Sequence, residues 1–373
     1  MKVLSVFGTR PEAIKMCPLV KELERTDGIE SEVCLTSQHA ELLHGVTELF
    51  GVRADYDLGL MRPGQSLGEI FCGVLCGMET VLESSRPDIV LVHGDTSTSC
   101  AAALAAFYKK LPVGHVEAGL RSRRRYYPFP EEMNRRLSAV LSTLHFAPTE
   151  LNARNLRAEG VTEGVYVTGN TVIDALRTTV REDYRFRTPG IAEALSSGRC
   201  VLLTAHRRES IPDGLAGICR AARAIAREFD DIRIIFPVHP NPAVRGVVLP
   251  LLQGCERVVL TEPLDFIETH NLLARCCLVM TDSGGLQEEA PAMGVDVLVL
   301  RGETERPEAV EAGCARLVGT NEGRIFNAAS GLLSIGRRAP DRRRAVSPFG
   351  DGHASERIAR ILLDYGARRA EEI

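Results

Sequence analysis

Three acidic residues sit where an α/β protein keeps its reactive groups. Asp95 follows Gly94 after the apolar run Ile89-Val90-Leu91-Val92-His93, and Glu117 directly follows Val113-Gly114-His115-Val116. Glu131 opens the helix-compatible part of Pro128-Phe129-Pro130-Glu131-Glu132-Met133-Asn134-Arg135-Arg136. In an open, doubly wound sheet, ligands bind at the carboxyl ends of the strands. Asp95, Glu117 and Glu131 are therefore candidates for proton transfer. Each also has a structural reading: Asp95 or Thr96 as a helix N-cap, and Glu131 and Glu132 as acids favoured by the positive end of a helix. For Glu132 the structural reading is preferred. His206, between Ala205 and Arg207 at the end of Val201-Leu202-Leu203-Thr204, could protonate an oxygen or hold a phosphate, or simply hydrogen-bond across its loop.

A second group of residues suits an anion. Thr281-Asp282-Ser283-Gly284-Gly285 follows the apolar run Cys277-Leu278-Val279-Met280 and leads into a helical stretch ending near Pro291 or Gly294. Glycines let backbone N–H groups approach a phosphate, a following helix favours negative charge, and the Ser283 hydroxyl could cap that helix. Glu288 and Glu289 could then accept hydrogen bonds from sugar hydroxyls. The alternative is an ordinary Ser-capped helix with a glycine turn, since short glycine motifs match often by chance. Arg10 and Lys15 flank the start of a helix after strand Lys2–Phe7, with Pro11 and Glu12 in its first turn. They too suggest an anionic ligand, or else a surface pairing with Glu12 and Glu22. With His206, Arg207 and Arg306 they make the ligand a nucleotide sugar or something equally anionic.

The elements that must carry these groups alternate regularly. Short apolar strands are expected at 2–7, 32–36, 89–93, 113–116, 144–147 and 165–167, and again at 201–204, 232–236, 258–260, 277–280, 297–300 and 315–318, with helical patterns between them. Near-continuous apolar strands belong to parallel sheets covered on both faces. The fold class is thus α/β, with two doubly wound, Rossmann-like domains facing a central cleft. Residues 1–180 form the N-terminal domain carrying the acids. Residues 181–350 form the C-terminal, Rossmann-like domain, which carries the glycine turn and, by the resemblance given below, binds UDP, with the charged stretch 181–198 as linker. Residues 351–373 form a C-terminal helix packing back across the domains. No Gly-x-Gly-x-x-Gly follows the first strand, which argues against a dinucleotide domain.

Composition narrows the class further. A chain of 373 residues exceeds one ordinary core, and 45% apolar with 25% charged residues is the balance of a globular enzyme. Net charge is −4, with no basic–aromatic interleaving, so no nucleic-acid partner is expected. The eleven cysteines include no CxxC pair and sit mostly in apolar runs; they read as reduced, buried thiols of a cytoplasmic protein, with neither disulfides nor a metal site. No apolar run reaches the roughly 20 residues that span a bilayer, and the chain begins on a strand rather than a signal peptide.

Eleven stretches, in order, resemble the non-hydrolysing UDP-N-acetylglucosamine 2-epimerases over nearly the whole chain. They are FGTRPEAIKM (7–16), TSQH (36–39), LVHGDT (91–96), GHVEAGLRS (114–122), PFPEEMNRR (128–136), VTGNTVIDAL (167–176), LTAHRRES (203–210), PVHPNP (237–242), TDSGGLQEEAP (281–291), TERPEAV (304–310) and PFGDGHAS (348–355). The resemblance implies the two-domain fold of GT-B glycosyltransferases, a homodimer, a UDP-N-acetylhexosamine substrate, and no cofactor, neither metal nor nicotinamide. It implies inversion at C2 by elimination of UDP to a 2-acetamidoglucal and re-addition. Asp95, Glu117 and Glu131 fall on the family's acid/base carboxylates and His206 on its catalytic histidine. Arg10, Ser283, Gly284 and Gly285 fall on diphosphate contacts, Glu289 on a ribose contact, and Lys15 and Arg306 on sugar- or phosphate-side positions. A second UDP-N-acetylglucosamine, bound as activator by some members, would meet Gln38, His39, Gln65, His206, Arg207 and His239.

The chain departs from the family pattern at Ala40, where an Arg often follows Gln-His, and at Leu264 and Thr269, which replace a Gln and an aromatic near the uracil. Arg123-Arg124-Arg125 replaces a Gly-containing segment and raises the alternative of a 2-epimerase acting on a UDP-2,3-diacetamido-uronic acid. A GT-B glycosyltransferase and a non-catalytic nucleotide-sugar sensor stand as alternatives of other classes.

Overall fold

The computed structural model describes residues 1–36, 40–60, 62, 64–207, 210–336 and 347–371. The chain forms two compact units, Met1–Ala175 with Phe349–Ile373, and Leu176–Pro348.

The first unit runs β1 (Lys2–Phe7), α1 (Arg10–Arg25), β2 (Glu30–Leu35), α2 (Ala40–Phe50), β3 (Tyr56–Asp57), α3 (Leu67–Ser85), β4 (Ile89–His93), α4 (Ser97–Tyr108), β5 (Val113–Val116), α5 (Glu131–Leu141), β6 (Leu144–Ala147), α6 (Glu150–Ala158) and β7 (Val165–Val167). Its seven strands are all parallel, in the order β3-β2-β1-β4-β5-β6-β7. Every residue of β4 and β5 is buried, as expected for central strands covered on both faces. Helix α4 lies between α3 and α5 and buries Ala101, Ala102, Ala103, Ala105 and Ala106. Small side chains on every face let it sit in the interior, which is why it lacks an amphipathic stripe.

The chain passes to the second unit within α7 (Thr171–Thr179). There follow α8 (Ile191–Ser197), β8 (Arg199–Thr204), α9 (Asp213–Glu228), β9 (Ile232–Pro237), α10 (Pro242–Leu252), β10 (Val258–Thr261), α11 (Phe266–Leu273), β11 (Cys276–Thr281), α12 (Leu286–Ala292), β12 (Asp296–Val299), α13 (Pro307–Glu311), β13 (Ala315–Leu317) and α14 (Glu322–Leu333). This sheet is also wholly parallel, ordered β10-β9-β8-β11-β12-β13. Its core joins Val201, Leu203, Ile234, Phe236, Met280 and Leu298 to the buried faces of α9, α10 and α14.

Stretch 181–198, expected as a linker, is instead folded onto the second unit. Buried Glu268 accepts hydrogen bonds from Arg187 N (2.6 Å), Thr188 N (3.1 Å) and Thr188 Oγ1 (2.5 Å), and α8 packs on β8 and β9.

The last helix, α15 (Ala354–Glu371), returns to the first unit and packs on α1. Asp174 accepts hydrogen bonds from Ala354 N and Ser355 N at its first turn. Gly350 allows that return: its φ is +116°, and a Cβ there would meet Gly169 Cα at 2.9 Å. No described helix is long and apolar enough to cross a membrane.

Candidate active site

In each sheet the strand order reverses beside the first strand, between β1 and β4 and between β8 and β11. Loops leaving such a pair diverge to opposite faces and open a crevice at the carboxyl edge.

In the first unit, Glu12 ties the two diverging loops together. Thr9 caps α1 by accepting from Glu12 N, and Glu12 Oε2 accepts from Gly8 N (3.1 Å) and Thr9 N (2.7 Å). Its Oε1 accepts from Thr96 Oγ1 (2.7 Å) and Ser99 Oγ (2.8 Å) in the loop and helix after β4. Glu12 is therefore scaffold, with both oxygens engaged. Thr96, not Asp95, is the N-cap of α4, which leaves the Asp95 carboxylate available for other partners.

The crevice holds a pocket of about 410 Å³ whose lining includes Lys15, His93, Asp95, Glu117, Glu131 and Asn134. The three carboxylates read from sequence thus share one pocket, but each has different partners. Asp95 Oδ2 is gripped by buried Arg135 through Nε (2.9 Å) and Nη2 (2.7 Å), while Asn134 Nδ2 donates to its backbone carbonyl. Glu117 stands in left-handed backbone, φ +63°, a conformation that costs a non-glycine residue about 1–3 kcal/mol and recurs at functional sites. Its Oε2 pairs with the Lys15 ammonium and accepts from Asn170 Nδ2 at 2.7 Å. Glu131 is the first residue of α5, and its Oε2 is buried with no hydrogen-bond partner. Its neighbour Glu132 turns away, accepting from Ser122 N (2.8 Å), Ser122 Oγ (3.0 Å) and Arg136 Nε (3.2 Å). Burial raises the Glu132 pKa, but these hydrogen bonds outweigh it and hold the group below its usual range.

Three histidines lie on adjacent strands at and beneath the pocket. Burial pushes His93, His115 and His145 down to about 4 each, so all are neutral at pH 7. His115 Nε2 is 2.7 Å from Gly94 O. His93 has a partner at neither ring nitrogen; an unmatched buried polar group costs about 1–3 kcal/mol.

In the second unit, fully buried Asp282 joins the loops after β8 and β11. Its Oδ2 accepts from His206 N (2.6 Å) and Arg207 N (2.8 Å), and its Oδ1 lies 3.4 Å from His206 Nδ1. The His206 ring is partly exposed and stacks on His239, 5.3 Å between centroids at 9°. Burial foremost, then His206, holds His239 below its ordinary pKa.

The Ser283 hydroxyl does not cap α12, contrary to expectation. Gly285 occupies the cap position without a side-chain hydrogen bond, because the two glycines set Ser283 back from the helix start. Ser283 N donates to Thr281 Oγ1 (2.9 Å), and its carbonyl accepts from Gln287 Nε2 (3.0 Å). Both glycines leave room for side chains that lean over the turn. A Cβ on Gly284 would lie 3.3 Å from Arg306 Cζ, and one on Gly285 would lie 2.9 Å from Glu289 Oε1. Arg306 is fixed beside the turn by Glu288 Oε1 (2.7 Å) and Glu305 Oε2 (3.3 Å). Glu289 Oε2 is 3.3 Å from Nε2 of buried His270. Thr269, at the expected uracil side, donates its hydroxyl back to Asp265 O in its own helix, and Leu264 is buried.

The structure thus gathers Lys15, Asp95, Glu117 and Glu131 in the first unit, and His206, Arg207, His239, Ser283, Gly284, Gly285, Glu289 and Arg306 around the switch point of the second. Arg10 is exposed at the start of α1, between pocket-lining Thr9 and Pro11. Gln65 belongs to a turn before α3, accepting from Arg62 N. Gln38 and His39 lie outside the described residues. Sequence reasoning passed over His93, Arg135, Asn170 and Asp282. The rule that selected Asp95 would also have found His93, Asn170 and Asp282, since each is polar and ends or follows a strand. Arg135 is one helical turn beyond Glu131.

The chain is similar to known proteins over nearly its whole length. Residues 21–363 match the family model described as UDP-N-acetylglucosamine 2-epimerase. A relative from Thermotoga maritima is 56% identical over 97% of this chain and 96% of its own length. A solved structure from Listeria monocytogenes has a TM-score of 0.91 at 48% identity, covering 98% of this chain and 97% of that one. The UDP-GlcNAc 2-epimerase of Neisseria meningitidis, solved bound to UDP-GlcNAc, has a TM-score of 0.87 at 44% identity, covering 98% of this chain and all of that one. With paired Rossmann-like sheets and polar groups at both switch points, the chain belongs to the UDP-N-acetylglucosamine 2-epimerase family of isomerases.

Proposed function

We propose that the protein interconverts UDP-N-acetylglucosamine and UDP-N-acetylmannosamine. The C2–H bond is poorly acidic because no carbonyl adjoins it. Elimination avoids that difficulty: the C1–O bond breaks with both electrons leaving on UDP, C2 gives its proton to a carboxylate, and a 2-acetamidoglucal forms. A second carboxylate then delivers a proton to the opposite face of C2 as the UDP oxygen re-adds at C1. No external oxidant or reductant enters the balance.

One observation carries the reading: Asp95, Glu117 and Glu131 line one pocket and have different partners, as a reaction handling protons on two faces of one carbon requires. Lys15 and Arg135 hold two of the acids. The Ser283-Gly284-Gly285 turn with Arg306 offers backbone N–H groups and a cation to a departing diphosphate, His206 is a proton donor or phosphate contact, and Glu289 suits the ribose hydroxyls. The Neisseria meningitidis relative, solved with UDP-GlcNAc, supports the same substrate here.

Incubation with UDP-N-acetylglucosamine in deuterated water should place deuterium at C2 of the product and yield UDP-N-acetylmannosamine. Folded protein that incorporates no deuterium refutes the proposal. The Arg123-Arg124-Arg125 run favours a second reading, epimerisation of a UDP-diacetamido-uronic acid. The pocket speaks against it, since among the described residues its lining carries Glu12, Asp95, Glu117 and Glu131 against one cation, Lys15, already paired with Glu117. Competition between the two sugar nucleotides separates the readings, and repeating the assay with added UDP-N-acetylglucosamine tests for an activator.

A further inference from the structure

β4 ends on a histidine that the proposed chemistry does not use. His93 is 3% exposed, lines the pocket beside Asp95 and Glu117, and has no hydrogen-bond partner at Nδ1 or Nε2. Its Nε2 is 3.9 Å from Glu117 Oε2, beyond hydrogen-bond range. One strand away, equally buried His115 puts Nε2 within 2.7 Å of Gly94 O; Nδ1 of His115 and of His145 also has no partner, but of these three histidines only His93 is unpartnered at both ring nitrogens. A ring kept uncharged by burial is no counter-ion for the surrounding carboxylates. It offers one N–H donor and one lone pair, which complements a hydroxyl or an amide but not a carboxylate alone.

We infer that His93 is a substrate-binding residue, whose ring hydrogen-bonds a hydroxyl or acetamido group of the sugar seated in the pocket of the first unit. The inference rests on the proposed function for the identity of that sugar. It explains why a polar ring is retained at a position where an apolar side chain would pack without loss: the missing partners arrive with the ligand.

Two variants of the full chain test it. His93→Leu keeps similar bulk without polar atoms, and His93→Gln keeps a donor and an acceptor. Calorimetry measures the affinity of each, and of the wild type, for UDP and for UDP-N-acetylglucosamine, and urea midpoints measure stability. His93→Leu should bind UDP like the wild type, bind UDP-N-acetylglucosamine about tenfold more weakly, and unfold at no lower urea; His93→Gln should recover part of the loss. Unchanged affinity for the sugar nucleotide overturns the inference. So does a parallel loss of both affinities with a lowered urea midpoint, which would mark His93 as structural. Deuterium incorporation at C2 is followed alongside. Its absence in the wild type refutes the epimerase reading alone, because a loss specific to the sugar nucleotide in His93→Leu would still identify a sugar contact. Equal kcat/KM in the wild type and His93→Leu refutes the role of His93 alone.

Discussion

Arg135→Met is the substitution that best isolates how the pocket prepares an acid. Arg135 donates twice to one oxygen of Asp95, at 2.9 and 2.7 Å, and its side chain is 6% exposed against 26% for Asp95. Hydrogen bonds to a charged group contribute about 1.5–3 kcal/mol each. Here two share one oxygen, and solvent screens part of the Asp95 charge, so their joint contribution to holding Asp95 is about 2–3 kcal/mol. Methionine keeps the length and the packing of the stem and removes the donors. At 1.36 kcal/mol per tenfold, kcat for C2 deuterium exchange should fall about 30- to 150-fold. Affinity for UDP should stay put, because Arg135 is engaged with Asp95 and is not among the diphosphate-binding groups proposed here. Asp95→Asn should cost about two orders of magnitude or more if Asp95 transfers a proton. The double variant decides the matter. If Arg135 acts through Asp95, Asp95→Asn with Arg135→Met is no slower than Asp95→Asn alone. Losses that multiply, or an Arg135→Met enzyme at the wild-type rate, would refute the reasoning.

Arg10→Ala should weaken UDP binding about tenfold or more with little change in fold stability, since the residue is exposed; unchanged affinity in calorimetry removes it from the phosphate contacts. Gly285→Ala puts a methyl 2.9 Å from Glu289 Oε1, so UDP affinity should fall severalfold while the urea midpoint moves little; wild-type affinity would show that the turn has room to give. Acid should destabilise the protein well above the carboxylate range. Burial holds His93, His115 and His145 at about 4 when folded, against 6.5 when unfolded. Between those values the unfolded chain binds more protons, so stability is complete above about pH 6.5 and is lost as pH falls toward 4. The slope of stability against pH should approach three protons, and His145→Gln should remove about one; a flat profile from about pH 7 to 4.5 contradicts the burial argument.

The strands were legible because burial on both faces leaves an unbroken apolar run with a polar stop. Ile89–His93, Val113–Val116 and Leu144–Ala147 have the bounds expected from sequence. β3 was not legible, since two residues at a sheet edge, Tyr56 and Asp57, carry no period. The stretch 181–198 read as linker because it is charged. Its order comes from Glu268, about 80 residues further along the chain, which no local pattern announces. The acids of the first unit could be found for the same reason as the strands: they stand at strand ends and at a helix start. Their partners could not. Lys15 meets Glu117 across 102 positions and Arg135 meets Asp95 across 40, distances closed only by the sheet order and by the packing of α5 on α4.

That asymmetry separates the two kinds of chemistry. The turn proposed to bind phosphate would use backbone N–H groups, so its signal is local, in glycines whose Cβ would stand close to Arg306 and Glu289. A carboxylate's work depends on what faces it. Asp95 is held by an arginine, Glu117 by a lysine and an amide, and one oxygen of Glu131 by nothing in the protein, although the three are nearly the same residue in the sequence. Of the three, Glu131 is the one whose buried oxygen a ligand can engage without displacing a protein partner. A substitution that supplies such a partner, as a lysine at Asn134 would on the same pocket wall, should therefore slow C2 exchange more than Asn134→Ala, which removes the same hydrogen bond to the Asp95 carbonyl, while leaving UDP affinity untouched. Exchange at the wild-type rate in folded Asn134→Lys would mean that the open side of Glu131 plays no part in moving the proton.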